Sequence, residues 1–91
     1  MDNQNISFGN AIEALKAGQR VARSGWNGKG MFLILIKYSS SIDAEKHAHY
    51  HLHNVDYKGV SWLGMKTADD MFVPWLASQT DILAEDWVVL E

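Results

Sequence analysis

The sequence predicts an α+β fold, with one main N-terminal helix packed on a mostly antiparallel sheet and a short second helix near the C-terminus. Three observations carry that prediction. Residues 7–18 combine a helical apolar period with a cap at each end. Residues 31–38 form a nearly unbroken apolar run, and a second apolar run at 60–66 is followed by a turn and a short return. A last apolar run, Trp87-Val88-Val89-Leu90, closes the chain after a stretch of capping residues.

The elements follow in order. Ser7 is placed as an N-cap, and Phe8, Ala11, Ile12 and Leu15 fall on one helical face before Gly18 supplies the C′ position. Gln19 to Arg23 reads as a short strand. Gly25 to Gly30 reads as a loop in which Asn27-Gly28 is a hairpin signal. Met31 to Tyr38, apolar on both faces, is expected to be covered on both, by helix and by a partner subunit. Val60 to Lys66 is a strand, Ala68-Asp69-Asp70 a turn, and Met71 to Trp75 its antiparallel return. Pro74 has no N–H to give a ladder, so that strand is expected at an edge or beside a cleft. Thr80 is expected to N-cap a helix over Asp81 to Glu85, and Trp87 to Leu90 is the last strand.

Ninety-one residues suit one domain, expected to span 1–91. A chain this small buries only about 60–65% of its unfolded surface, and 47% of its residues are apolar, so self-association is expected. The sequence contains no cysteine, which excludes disulfides, thiol catalysis and cysteine-ligated zinc. The first five residues show no signal-peptide pattern, and the run from Met31 to Ile36 is far below the roughly 20 residues that cross a bilayer. A soluble intracellular protein is therefore expected. The net charge is −3 and the cations are scattered, which argues against a polynucleotide partner.

Two segments set a tryptophan among turn residues and hydrogen-bonding side chains: Arg23-Ser24-Gly25-Trp26-Asn27-Gly28-Lys29-Gly30 and Val73-Pro74-Trp75-Leu76-Ala77-Ser78-Gln79-Thr80-Asp81. A flat apolar surface beside oriented donors suits a small-molecule pocket, above all one for an aromatic base. Ser78, Gln79 and Thr80 offer hydrogen bonds and Asp81 an acceptor for ribose hydroxyls. The same residues also read as helix caps, and a capped helix start is itself an anion site. Arg23 reads two ways, as a structural brace to Asp81 or Asp86 or as a bidentate phosphate ligand. Asp86 reads as structural. His47, His49, His51 and His53 alternate and would share one strand face, a pattern open to zinc or nickel; with no carboxylate or cysteine completing a set, a polar face is the plainer reading. No nucleophile elbow or metal-hydrolase motif is visible.

In order along the chain, Phe8-Gly9 with Ala11, Ala14-Leu15, Gly18, Val21-Ala22-Arg23, Gly25-Trp26-Asn27-Gly28, Pro74-Trp75, Ser78-Gln79-Thr80-Asp81 and Ala84-Glu85-Asp86-Trp87 form a set that resembles the Thoeris anti-defence type 2 proteins of bacteriophages. The likeness covers residues 7–36 and 60–90; residues 39–59 depart from the pattern. It implies a non-enzymatic sponge that forms a homotetramer in the cytoplasm of the infected host. The sponge would sequester cyclic ADP-ribose isomers, such as glycocyclic ADP-ribose, made by TIR-domain immune enzymes. Ligand would sit between subunits, and CBASS cyclic dinucleotides would occupy a separate pocket in some members. Trp26 or Trp75 would stack on adenine, with Phe8, Asn27 and the Gly28 backbone shaping the pocket. Ser78, Thr80 and Asp81 would contact ribose or phosphate, and Asn10, Met65, Pro74 and Gln79 complete the implied set. Arg23 would brace the site or neutralise a phosphate. No cofactor and no metal is implied.

Two other classes compete. A protein-binding inhibitor of a host defence factor would dock through exposed Trp and Met surface. A small nucleotide hydrolase would need a base such as His49 or Asp81.

Overall fold

A computed structural model of the protein describes residues 3–26, 29–37 and 60–90. Its architecture is α+β, as expected. Helix α1 (Phe8–Lys16) precedes strands β1 (Val21–Arg23), β2 (Phe32–Ile36), β3 (Trp62–Lys66) and β4 (Phe72–Pro74), then helix α2 (Gln79–Leu83) and strand β5 (Trp87–Val89). The five strands make one antiparallel sheet in the order β4-β3-β2-β1-β5. The strands are shorter at their ends than the apolar runs that announced them.

Helix α1 has the boundaries its caps dictate. Ser7 Oγ accepts from the Asn10 N–H at 3.1 Å, and Ala17 closes the other end. Gly18 sits at φ +91°, a conformation that L side chains rarely adopt. It lets the Gly18 N–H reach the Leu15 carbonyl and the Gln19 N–H reach the Ala14 carbonyl, each at 3.0 Å. This is a Schellman ending, which satisfies carbonyls that would otherwise lack partners.

The pleat sorts the sheet into two faces. Register pairs Val21 with Leu33 and Val89, Leu33 with Met65, and Met65 with Val73, so all five share the helix-facing side. There they meet Ala11, Ala14 and Leu15 of α1, together with Ile6 and Trp87, in one buried core. Burying Leu15 or Leu33 is worth about 1.5–3 kcal/mol each. The opposite face carries Phe32, Ile34, Ile36, Trp62 and Phe72, with the Arg20 guanidinium 5.0 Å from the centre of the Phe32 ring.

Both sheet edges have visible causes. β4 lies at one edge, where Pro74 needs no ladder donor. At the other edge the N-terminal segment covers β5: Ile6 and Trp87 exchange backbone hydrogen bonds at 3.0 and 3.2 Å, and the Val89 N–H donates to the Asn3 carbonyl at 2.7 Å. Residues 3–6 carry no strand pattern in the sequence that announces this pairing.

The second helix corrects one expectation. It spans Gln79–Leu83 rather than Asp81 to Glu85, and Ser78, not Thr80, is its N-cap. The Asp81 N–H donates to Ser78 Oγ at 3.1 Å while the Ser78 N–H donates to Asp81 Oδ2 at 3.3 Å. A reciprocal box needs an acid three residues after the cap, and only Ser78 has one. The expected hairpin at Asn27-Gly28 and the histidine stretch at 47–53 lie outside the described residues.

Trp87 is fully buried at the middle of the core. Replacing it with alanine should cost about 3–5 kcal/mol and leave the chain largely unfolded near body temperature. A melting temperature within a few degrees of the parent, followed by circular dichroism, would contradict that placement.

Candidate ligand-binding site

Four aromatic rings from four parts of the chain converge at one end of the helix-facing side. Trp87 of β5 is the hub. Phe8 of α1 lies 5.4 Å from it between ring centres, Trp26 5.5 Å and Trp75 6.1 Å. Phe8 to Trp75 and Trp26 to Trp75 are 6.3 and 6.4 Å. Every one of these pairs is tilted or edge-on, an arrangement that suits the ring quadrupoles. Trp87 is enclosed, while Phe8, Trp26 and Trp75 are half-buried and form its outer wall.

A charged brace ties down two of these rings, Trp26 and Trp87. Register places Arg23 opposite Trp87, on the same face. Its Nε donates to Asp86 Oδ1 at 2.8 Å and its NH1 to Asp81 Oδ1 at 2.9 Å. Asp86 Oδ2 also accepts the Gly25 N–H at 3.1 Å, which pins the turn leading into Trp26. A Cβ at Gly25 would stand only 3.0 Å from that oxygen, so the approach suits glycine. The Trp87 indole N–H donates to the Asp81 carbonyl at 3.0 Å, tying the hub to α2. All three charged side chains are mostly covered, at 16–29% exposure, where such pairs are screened less than on the surface.

The charges shift accordingly. The hydrogen bond from Arg23 holds the Asp86 carboxyl below the usual carboxylate range, against the opposing effect of burial. For Asp81, burial pushes upward most strongly, but the hydrogen bonds from Arg23 and Ser78 together prevail and hold it low. Arg23 is raised in turn, first by Asp86 and then by Asp81. Of the two roles open to Arg23 in the sequence, the brace is the one its geometry fills.

The expected site residues do not all meet. Phe8, Trp26, Trp75, Arg23 and Asp81 belong to the cluster and its brace, and Ser78 joins them through the capping box. Gln79 and Thr80 are exposed on the first turn of α2. With only five residues in that helix and Asp81 already seated at its start, its own carboxylate occupies the place foreseen for a ligand anion. Met65 is buried in the core, and Pro74 is exposed on the opposite face of the sheet. Asn10 is exposed and lines a separate polar cavity of about 720 Å³ with Asn3, Asn5 and Glu85. Asn27 and Gly28 lie outside the described residues. Among the described residues no set of three histidines or carboxylates is gathered for a metal ion.

Trp87 is the residue the sequence reading missed. In the sequence it reads as part of the last strand and of the Ala84-Glu85-Asp86-Trp87 motif, with no role at the site. The signal was its pairing position: two residues before Val89 on the buried face, one residue after an aspartate that Arg23 can reach.

A family model described as a Thoeris anti-defense 2-like domain matches residues 6–90, a span that holds the seven elements of the described residues and the whole cluster. The chain belongs to the Thoeris anti-defense 2-like family. It is also similar to Thoeris anti-defense 2 of Bacillus phage SP01, 42% identical over 85 residues that cover 93% of this chain and 94% of that protein. The resemblance carried by the paired tryptophan motifs is thereby borne out. Membership places this Thoeris anti-defense 2-like chain among anti-defence proteins, and its named relative comes from a phage. Among the described residues no helix is long and apolar enough to cross a membrane.

Arg23→Ala should destabilise the fold by about 2–3 kcal/mol, because two covered carboxylates lose their donor. Carboxyls held below their ordinary value near pH 3.9 stabilise the fold above that value and cease to as pH falls through the lowered one. The parent's melting temperature should therefore hold from pH 7 to about pH 5 and fall below about pH 4. In Arg23→Ala that acid fall should shrink. Asp69, also held low by its Thr67 hydrogen bond, acts equally in both proteins and cancels. Equal falls in the two proteins would remove the brace from the account.

Proposed function

We propose that the chain is a non-enzymatic sponge that binds and sequesters cyclic ADP-ribose isomers, glycocyclic ADP-ribose among them, and releases them intact. The observation that carries this reading is the half-buried pair Trp26 and Trp75. The two rings lie 63° apart, neither stacked on the other nor on Trp87. A purine can stack on such a surface, worth about 1–3 kcal/mol per base. The exposed side chains of Gln79 and Thr80 follow Trp75 closely in the chain and supply polar contacts to ribose and phosphate oxygens, while Ser78 Oγ, which donates to Asp81 at 2.8 Å, is left as an acceptor for a ribose hydroxyl.

Capture rather than turnover also fits the carboxylates. A general acid at neutral pH needs a raised pKa, and a general base needs a free lone pair aimed at substrate. Asp81 and Asp86 are held low, and their oxygens face Arg23, Ser78 and Gly25.

The sponge acts as a homo-oligomer, a tetramer in this reading, in the cytoplasm of the infected host. Self-association is supported by the apolar side chains left outside: Leu76 is 92% and Leu83 76% exposed, and Met71, Phe72 and Trp62 are also open. An open aromatic wall on one subunit becomes an enclosed pocket when a second subunit faces it. CBASS cyclic dinucleotides would occupy a second pocket. The same exposed residues favour the rival reading, a protein-binding inhibitor, which predicts no small-molecule affinity.

Calorimetric titration with a cyclic ADP-ribose isomer tests the assignment. Trp75→Ala or Trp26→Ala should weaken binding about 5- to 150-fold while circular dichroism stays close to the parent. A variant that binds like the parent would take its tryptophan out of the site. Light scattering should give a mass well above the 10.3 kDa of one chain. A monomer at micromolar concentration would contradict the inter-subunit pocket.

A further inference from the structure

A second cavity, of about 430 Å³, lies between α1 and the sheet, and it shares no lining residue with the aromatic cluster. Its walls are Ile12 and Leu15 of α1, Leu35 of β2 and Leu63 of β3, and Ser61 and two lysines, Lys16 and Lys37, also line it. Leu35 and Leu63 are register partners on the helix-facing side of the sheet, so they form one continuous wall. Leu15, 1% exposed, belongs to the core, whereas Ile12, Leu35 and Leu63 are half-buried and leave the cavity accessible.

The lining of this cavity combines two chemistries, an apolar set and a pair of lysines. An apolar interior within the usual size range of ligand sites favours a hydrocarbon or aryl group. Each methylene taken from water contributes about 0.8 kcal/mol. The lysines add positive charge on exposed residues. Lys16 meets Glu13 at 3.7 Å, but both side chains are more than 60% exposed, and such a pair is too weak to withhold the ammonium from a competing anion.

We propose that this cavity binds a small amphipathic anion, its acyl or aryl body among Ile12, Leu15, Leu35 and Leu63 and its carboxylate or sulfonate against Lys16 and Lys37. The cavity's lining side chains are distinct from the aromatic rings of the nucleotide reading, although the two sites adjoin where the Trp75 N–H donates to the Leu63 carbonyl at 3.0 Å.

The probe is 1-anilinonaphthalene-8-sulfonate, titrated into the intact protein with fluorescence detection. Saturable binding should be displaced by dodecanoate below its micellar concentration, and far less by dodecyltrimethylammonium of equal chain length. Leu63→Trp should fill the cavity and abolish the signal. Lys16→Gln with Lys37→Gln, both on the surface and expected to fold, should weaken dodecanoate about tenfold. Trp75→Ala should leave dodecanoate binding unchanged, which separates this site from the sponge. Absence of a saturable signal from the folded parent, equal displacement by the cationic chain, or undiminished binding in the double lysine variant would each overturn the proposal.

Discussion

Two carboxylates, Asp81 within α2 and Asp86 just after it, converge on one guanidinium at 2.9 and 2.8 Å. That convergence does more than close a salt bridge. Arg23 ends β1, so the carboxylates lock α2 and the entry to β5 onto the sheet. The spare oxygen of Asp86 holds Gly25 and with it the turn before Trp26, while the carbonyl of Asp81 takes the indole N–H of Trp87. With few buried side chains among the described residues, the fold gains order here from directed, charge-assisted bonds that a larger core would supply by packing.

Two rings of the aromatic cluster, Trp26 and Trp87, are held by that brace. Phe8 arrives from α1, Trp26 from the turn after β1, Trp75 from the exit of β4 and Trp87 from β5. No two of these are near neighbours in sequence, so their convergence is a property of the tertiary fold. Its outer rings stay half-buried because the hub alone is enclosed. A preformed aromatic wall limits the ordering cost of binding, which is what a protein selected to hold a ligand needs. Family membership shows an anti-defence protein, and the proposed capture of a nucleotide rests on this half-buried aromatic wall.

Much of the fold was legible because local chemistry and tertiary demand agree. Ser7, the apolar stripe through Leu15 and Gly18 define α1 without reference to the rest of the chain. Pro74 announced an edge strand, and β4 is one. The second helix was placed two residues late because Thr80 and Ser78 are both acceptable caps, and the choice rests on which has Asp81 three residues onward. The pairing of residues 3–6 with β5 left no trace in composition, since Asn and Gln carry no strand pattern. For the site, the two tryptophan motifs and the Arg23–aspartate pairing were readable. Trp87 was not, because a single apolar residue in a short strand looks like any other core position. Asn10 and Met65 show the converse: they are placed by family likeness, and the fold sets one on the rim of another cavity and the other in the core.

The most direct test of the central claim is the fate of the bound molecule. The protein would be loaded with a cyclic ADP-ribose isomer at stoichiometric amounts, held for hours, then heat-denatured, and the released nucleotide identified by chromatography and mass. Full recovery of the unaltered isomer, bound tightly before denaturation, is the predicted result. A linear or hydrolysed product would make the chain an enzyme, and ligand that never bound would shift the account to a protein partner.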